Sequence, residues 1–136
     1  MTVQTIVLDT NIVLDAFVFN DPAAEAVRQG LSNQTLDWLA TEPMRLELAR
    51  VLTYPKIAVK LEFYKLTATD VLAKFDQHAR IIDASPKASV TCKDADDQKF
   101  IDLAVQHRAL LLSKDQHVIS MKKRLLALEI RVQIAM

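Results

Sequence analysis

The run Thr5-Ile6-Val7-Leu8 shows no alternation of polar and apolar residues, and it stops at a carboxylate, Asp9. A strand with one face in water alternates. An unbroken apolar run suits a strand covered on both faces, as in a parallel sheet between layers of helix. Ala109-Leu110-Leu111-Leu112 repeats the pattern near the other end of the chain and leads through Ser113 and Lys114 to Asp115. Strands disfavour aspartate, so an acid at a strand end calls for a capping role or a cation. Open α/β sheets bind their ligands at the C-terminal ends of the strands, where Asp9 and Asp115 both fall.

The intervening sequence supplies the helices that such a sheet needs. Asp21-Pro22 gives a cap and a proline at the first helical position, predicting a helix over 23–31 that ends between Gly30 and Asn33. Leu36–Ala40 reads as a second strand. Glu42-Pro43 opens a helix with Met44, Leu48, Val51 and Leu52 on one face. Pro55 interrupts it, and a further helical stretch covers 56–64. Thr67 and Asp70 have the spacing of a capping box, ahead of a helix through Val71, Leu72, Phe75 and Ala79. Strands follow at 80–82, 109–112 and 130–134. Helices are expected after the acidic segment at 94–97 and over 116–128. This β-α order predicts an α/β fold with a parallel sheet of about five strands and helices on both faces. Residues 43–79 form a helix-rich insertion between the second and third strands.

The 136 residues suit one domain, 1–136, with a real core. Seventeen basic residues balance seventeen acidic ones, so the overall field does not attract a polyanion. The local basic groups, Lys122-Lys123-Arg124 with Arg131 and Arg45 with Arg50, read as solvated helix faces. Gly30 is the only glycine, which excludes a dinucleotide fingerprint and a phosphate-binding P-loop, both built on several glycines. The lone Cys92 cannot form an internal disulfide. No apolar run reaches the roughly 18 residues that span a bilayer, and the N-terminus lacks the features of a signal peptide. A cytoplasmic protein without a membrane association is expected.

The acids carry the chemical signal. If Asp97 stands in the first turn of its helix, it shares a side with Ile101 and Ala104 and projects toward the sheet edge. Asp94, Asp96 and Asp97 could simply cap that helix, although capping needs only one acid. Asp115 could likewise cap the helix at 116–128. Glu47 lies beside the apolar stripe of its helix, and on pattern alone it reads as a surface residue paired with Arg45 or Arg50. Should these carboxylates converge, each raises the pKa of the others, and a cation is needed to keep them ionised. An oxygen-only set without histidine or cysteine suits Mg²⁺ or Mn²⁺, and the chemistry that follows is metal-assisted hydrolysis.

Four segments together resemble the PIN domain family. They are Asp9-Thr10-Asn11 after an apolar strand, Leu46-Glu47-Leu48-Ala49-Arg50-Val51-Leu52, Cys92-Lys93-Asp94-Ala95-Asp96-Asp97-Gln98-Lys99-Phe100, and Leu111-Leu112-Ser113-Lys114-Asp115. The bacterial subgroup described as toxins of toxin–antitoxin pairs is the most similar, over about residues 5–126. The resemblance implies a three-layer α/β/α fold and a Mg²⁺- or Mn²⁺-dependent ribonuclease. It implies metal-site and catalytic roles for Asp9, Glu47, Asp97 and Asp115, with Asp94 as an auxiliary ligand and Thr10, Asn11 and Ser113 in support. It also implies an RNA substrate, a homodimer and a small antitoxin partner.

Two other classes stay open. One is a non-catalytic PIN-like module that binds RNA or protein. The other is phosphotransfer on Asp9, for which Asn11 stands where a second aspartate is normally wanted. The remaining polar residues look structural. His78, His107 and His117 form no metal-ligand spacing, and His117 stands nearest to a site acid. Trp38 is expected in the core, and Asp102 is expected to be solvated.

Overall fold

The computed structural model describes residues 2–136. Five strands form one sheet: β1 (Gln4–Leu8), β2 (Leu36–Ala40), β3 (Ala79–Ile81), β4 (Leu110–Leu112) and β5 (Val132–Gln133). Every pairing is parallel, and the order across the sheet is β3-β2-β1-β4-β5. The helices are α1 (Thr10–Phe17), α2 (Glu25–Ser32), α3 (Glu42–Val51), α4 (Pro55–Phe63), α5 (Ala68–His78), α6 (Gln98–His107), α7 (Gln116–Ile119) and α8 (Lys122–Leu126). The fold is α/β with an all-parallel five-stranded central sheet and flanking helices, as the sequence predicts. No described helix is long and apolar enough to cross a membrane.

The strand order dictates where a ligand can sit. From β1 the chain steps outward through β2 to β3, then returns through α6 to the other side of β1 and steps outward again to β5. Right-handed connections put helices on opposite faces before and after this reversal. A crevice opens at the C-terminal ends of the two strands where the order reverses, and here these are β1 and β4. Both are sealed into the core, with Ile6, Val7, Leu111 and Leu112 completely buried. Their unbroken apolar character follows from cover on both faces.

Trp38 anchors the other half of the sheet. Its ring meets Phe75 of α5 edge-on, with centroids 4.8 Å apart, and tilts against Phe17 of α1 at 5.9 Å. The capping box at the start of α5 forms in both directions: Thr67 N donates to Asp70 at 2.9 Å, and Asp70 N donates to Thr67 Oγ1 at 3.1 Å.

Several boundaries differ from the sequence reading. Helix α1 begins directly at Thr10, where no helix is expected. Residues 12–17 are all buried, so α1 shows no polar stripe to betray its period, and Ile12-Val13-Leu14 reads as more of the preceding apolar run. The helix expected over 23–31 is a 3₁₀ turn, Pro22–Ala24, followed by α2. The helix expected over 116–128 is two short ones, α7 and α8. Only two residues of the expected last strand join the sheet, and β3 lies one residue earlier than predicted. Asp102 is not solvated. It is half-buried and accepts from Ala88 N and Gln98 Nε2, both at 2.8 Å.

Candidate metal centre

The register between β1 and β4 pairs Leu8 with Leu112, so the next residues, Asp9 and Ser113, leave the sheet side by side. Ser113 Oγ donates to Asp9 Oδ2 at 2.6 Å, and both residues are buried. The other oxygen, Asp9 Oδ1, accepts from Thr10 N at 2.7 Å and caps α1. Asp115 follows two residues after Ser113. Its backbone N donates to Ser113 Oγ at 3.0 Å, and its carboxylate accepts from His117 N at 2.8 Å, capping α7. One serine hydroxyl therefore touches the first acid and the loop that carries the last.

Glu47 reaches this edge from α3. Thr10 Oγ1 donates to Glu47 Oε2, and Lys99 Nζ binds Glu47 Oε1 at 2.9 Å. Arg45, a pairing expected for Glu47, instead forms a two-pronged pair with Asp76 of α5 at 2.7 and 2.8 Å. The leaning of Glu47 over the sheet is a tertiary effect: α3 packs against α1 and α5, which turns the edge of its apolar stripe inward.

Asp97 lies in the 3₁₀ turn Ala95–Asp97 that leads into α6. It is only 8% exposed, and its Oδ2 is buried with no hydrogen-bond partner. Burial first, and then the charges of Asp9, Asp115, Asp94 and Glu47, push its carboxyl up to about 7. Four other acids thus act on Asp97, and with it they come from four separate stretches of chain. Asp94 caps the 3₁₀ turn through Asp96 N at 3.0 Å. Burial also raises Asp9, against the lowering effect of its bonds from Ser113 and Thr10. The buried Oδ1 of Asn11 has no hydrogen-bond partner.

The residues fit a hard divalent cation. An orphaned buried carboxylate oxygen amid mutually repelling acids is the environment that such an ion relieves. Among the described residues, no three acids are drawn together tightly enough to form a ready-made coordination shell. Glu47 has Thr10 and Lys99 as partners, and Asp9, Asp94 and Asp115 each lend an oxygen to a backbone amide. Lys99 is the site residue that sequence reasoning missed. A lysine on a helix reads as solvated, and nothing in its spacing announces a partner 52 residues away.

The family profile described as PIN domain matches residues 5–117. The chain belongs to the PIN domain family. Members of this family are generally nucleases. No curated protein matches the chain. Among solved structures, the chain is similar to one in the crystal structure of VapBC2 from Rickettsia felis bound to a DNA fragment from its promoter. That match has a TM-score of 0.64 and 16% identity, and it covers 95% of this chain and 97% of the other. The PIN fold thus extends over nearly the whole length of both chains.

The other polar residues keep structural roles. His78 stacks on Phe17, with centroids 6.0 Å apart. His117 meets Asp115 through its backbone, while its side chain is exposed. Cys92 is buried, and its backbone N donates to Gln98 Oε1 at 2.7 Å.

Proposed function

We propose that this PIN domain protein is a metal-dependent ribonuclease, a single domain over 1–136 that hydrolyses RNA phosphodiester bonds. The observation that best supports this reading is Asp97: a buried, partnerless carboxylate oxygen whose proton affinity is raised first by burial and then by four other acids. Asp9, Glu47, Asp97 and Asp115 would hold Mg²⁺ or Mn²⁺, with Asp94 as an auxiliary. A divalent ion bound there supplies Lewis acidity, which activates water and neutralises charge building on the phosphate.

The chain's own residues shape that chemistry. Ser113 fixes the rotamer of Asp9, and Thr10 fixes that of Glu47. The helix N-termini capped by Asp9 and Asp115 direct positive partial charge toward the acids. This geometry exists before substrate arrives, so little of it must be built during reaction.

The likeness to VapBC2 supports a role as the toxin of a toxin–antitoxin pair, with a small antitoxin as partner. Val59 and Phe63, one turn apart on α4, are both exposed and support protein partners, since adjoining apolar surface marks contact sites. A homodimer in the cytoplasm completes the proposal. A second reading, a PIN-like module that binds RNA or protein without cleaving it, draws support from Glu47, whose oxygens already have partners.

The test uses labelled single-stranded RNA with and without Mn²⁺, comparing the unmutated protein with Asp9→Asn and Asp97→Asn. Cleavage is expected only for the unmutated protein with metal. Equal cleavage by all three would trace to a contaminant and overturn the proposal, whereas RNA binding without cleavage would favour the module.

A further inference from the structure

Lys99 contributes a cation to the acidic site. Its Nζ bonds Glu47 Oε1 at 2.9 Å and the backbone carbonyl of Asp96, and it lies 4.9 Å from the centre of the Phe100 ring. The side chain is three-quarters buried, at 26% exposure, and Glu47 is at 13%. Two oxygen acceptors and an aromatic ring hold the ammonium, so it is placed rather than trailing in solvent. Among the described residues, no other lysine or arginine pairs with a site acid. Lys114, the nearest in sequence to Asp115, is committed to Asp15 at 2.5 Å.

Glu47, which it binds, belongs with Asp9, Asp94, Asp97 and Asp115 to a set of acids that carries five negative charges when all are ionised. Lys99 cancels one of them and reduces the field that draws a divalent cation. Its loss would not set Glu47 adrift, because Thr10 Oγ1 still holds the other carboxylate oxygen. The effect of removing the ammonium is therefore mainly one of charge.

We infer that Lys99 is a resident counter-ion of the acidic site: it stabilises the acids before a divalent ion binds, and it limits how tightly that ion is held. This rests on the metal-dependent reading proposed above, and it adds an electrostatic residue to it. Such a device keeps the ion exchangeable and spares the folded chain from depending on it.

The experiment measures Mn²⁺ affinity of the full chain by the loss of the free-ion paramagnetic resonance signal. Unmutated protein is compared with Lys99→Met, Lys99→Gln, Lys99→Arg and Asp97→Asn. Thermal midpoints are recorded with and without the ion. Lys99→Met should bind Mn²⁺ about tenfold more tightly, the scale of losing one charge a few ångströms away. Without metal its midpoint should fall, and Mn²⁺ should restore it by a larger step than in the unmutated protein. Lys99→Arg, which keeps the charge, should match the unmutated affinity. Lys99→Gln repeats the test should the methionine variant fail to fold. Equal or weaker Mn²⁺ binding by the neutral variants, while Asp97→Asn abolishes it, would overturn the counter-ion role and leave the metal reading intact. If the unmutated protein itself takes up no Mn²⁺, both ideas fall together.

Discussion

Ser113 and Asp9 are 104 residues apart in sequence, yet their side chains share a buried hydrogen bond of 2.6 Å. Adjacent central strands in fixed register make this contact a property of the sheet. Ser113→Ala would leave one oxygen of a buried carboxylate without its donor. The expected cost is about 1–3 kcal/mol, read as a lower midpoint in urea denaturation. The Asp9 carboxyl should rise further, because Ser113 is the largest influence holding it down. An unchanged midpoint would show that the bond adds nothing to the fold.

Asp97 should make the metal-free protein less stable as pH rises. Its folded value of about 7 lies above its unfolded value near 3.8. The folded state therefore holds the extra proton between those limits, and its advantage is lost as pH climbs through them. Asp97→Asn carries no such charge. The variant should gain stability over the unmutated protein as pH rises from 3.8 to about 7, a difference measured by denaturation without divalent ions. A constant difference across that range would contradict the raised value.

How far the sequence carried this picture depended on the kind of signal. Strands β1 and β4 were legible because burial on both faces leaves unbroken apolar runs, and the parallel order followed from the alternation of strands with helices. The strand-end placing of Asp9 and Asp115 was legible from those same runs. Helix α1 was not, because complete burial erases helical periodicity as well. Glu47 was ambiguous, since a residue at the margin of an apolar stripe turns inward or outward according to what packs beside it. Lys99 and Asp102 were invisible, because nothing in sequence separates a charge in solvent from one that meets a distant partner.

Gln98 and Asp102 pin the loop ahead of α6. Gln98 binds Cys92 N and the carbonyl of Val90, at 2.7 and 3.0 Å, while Asp102 receives Ala88 N. Asp102→Ala should release that loop, and the Ala88 amide should exchange with deuterium at least tenfold faster. Global stability should fall by only about 1 kcal/mol. Slow exchange at Ala88 in the variant would show that other contacts hold the loop.

Gly30, buried in α2, faces the side chain of Leu36 so closely that an added Cβ would stand 2.4 Å from Leu36 Cδ1. Alanine is normally favoured over glycine in a helix, by about 1 kcal/mol. Here overpacking, which costs about 1–3 kcal/mol, should outweigh that gain. Gly30→Ala is expected to lower the thermal midpoint, and a higher one would mean that Leu36 moves aside freely.

Both outer strands of the sheet are short, with three residues in β3 and two in β5. Exposed strand margins are where one folded chain can recruit another into a continuous ribbon. Margins this brief offer too few free amides and carbonyls to seed such growth. A molecule whose middle strands are almost wholly hydrocarbon thus stays protected from its own most adhesive segments.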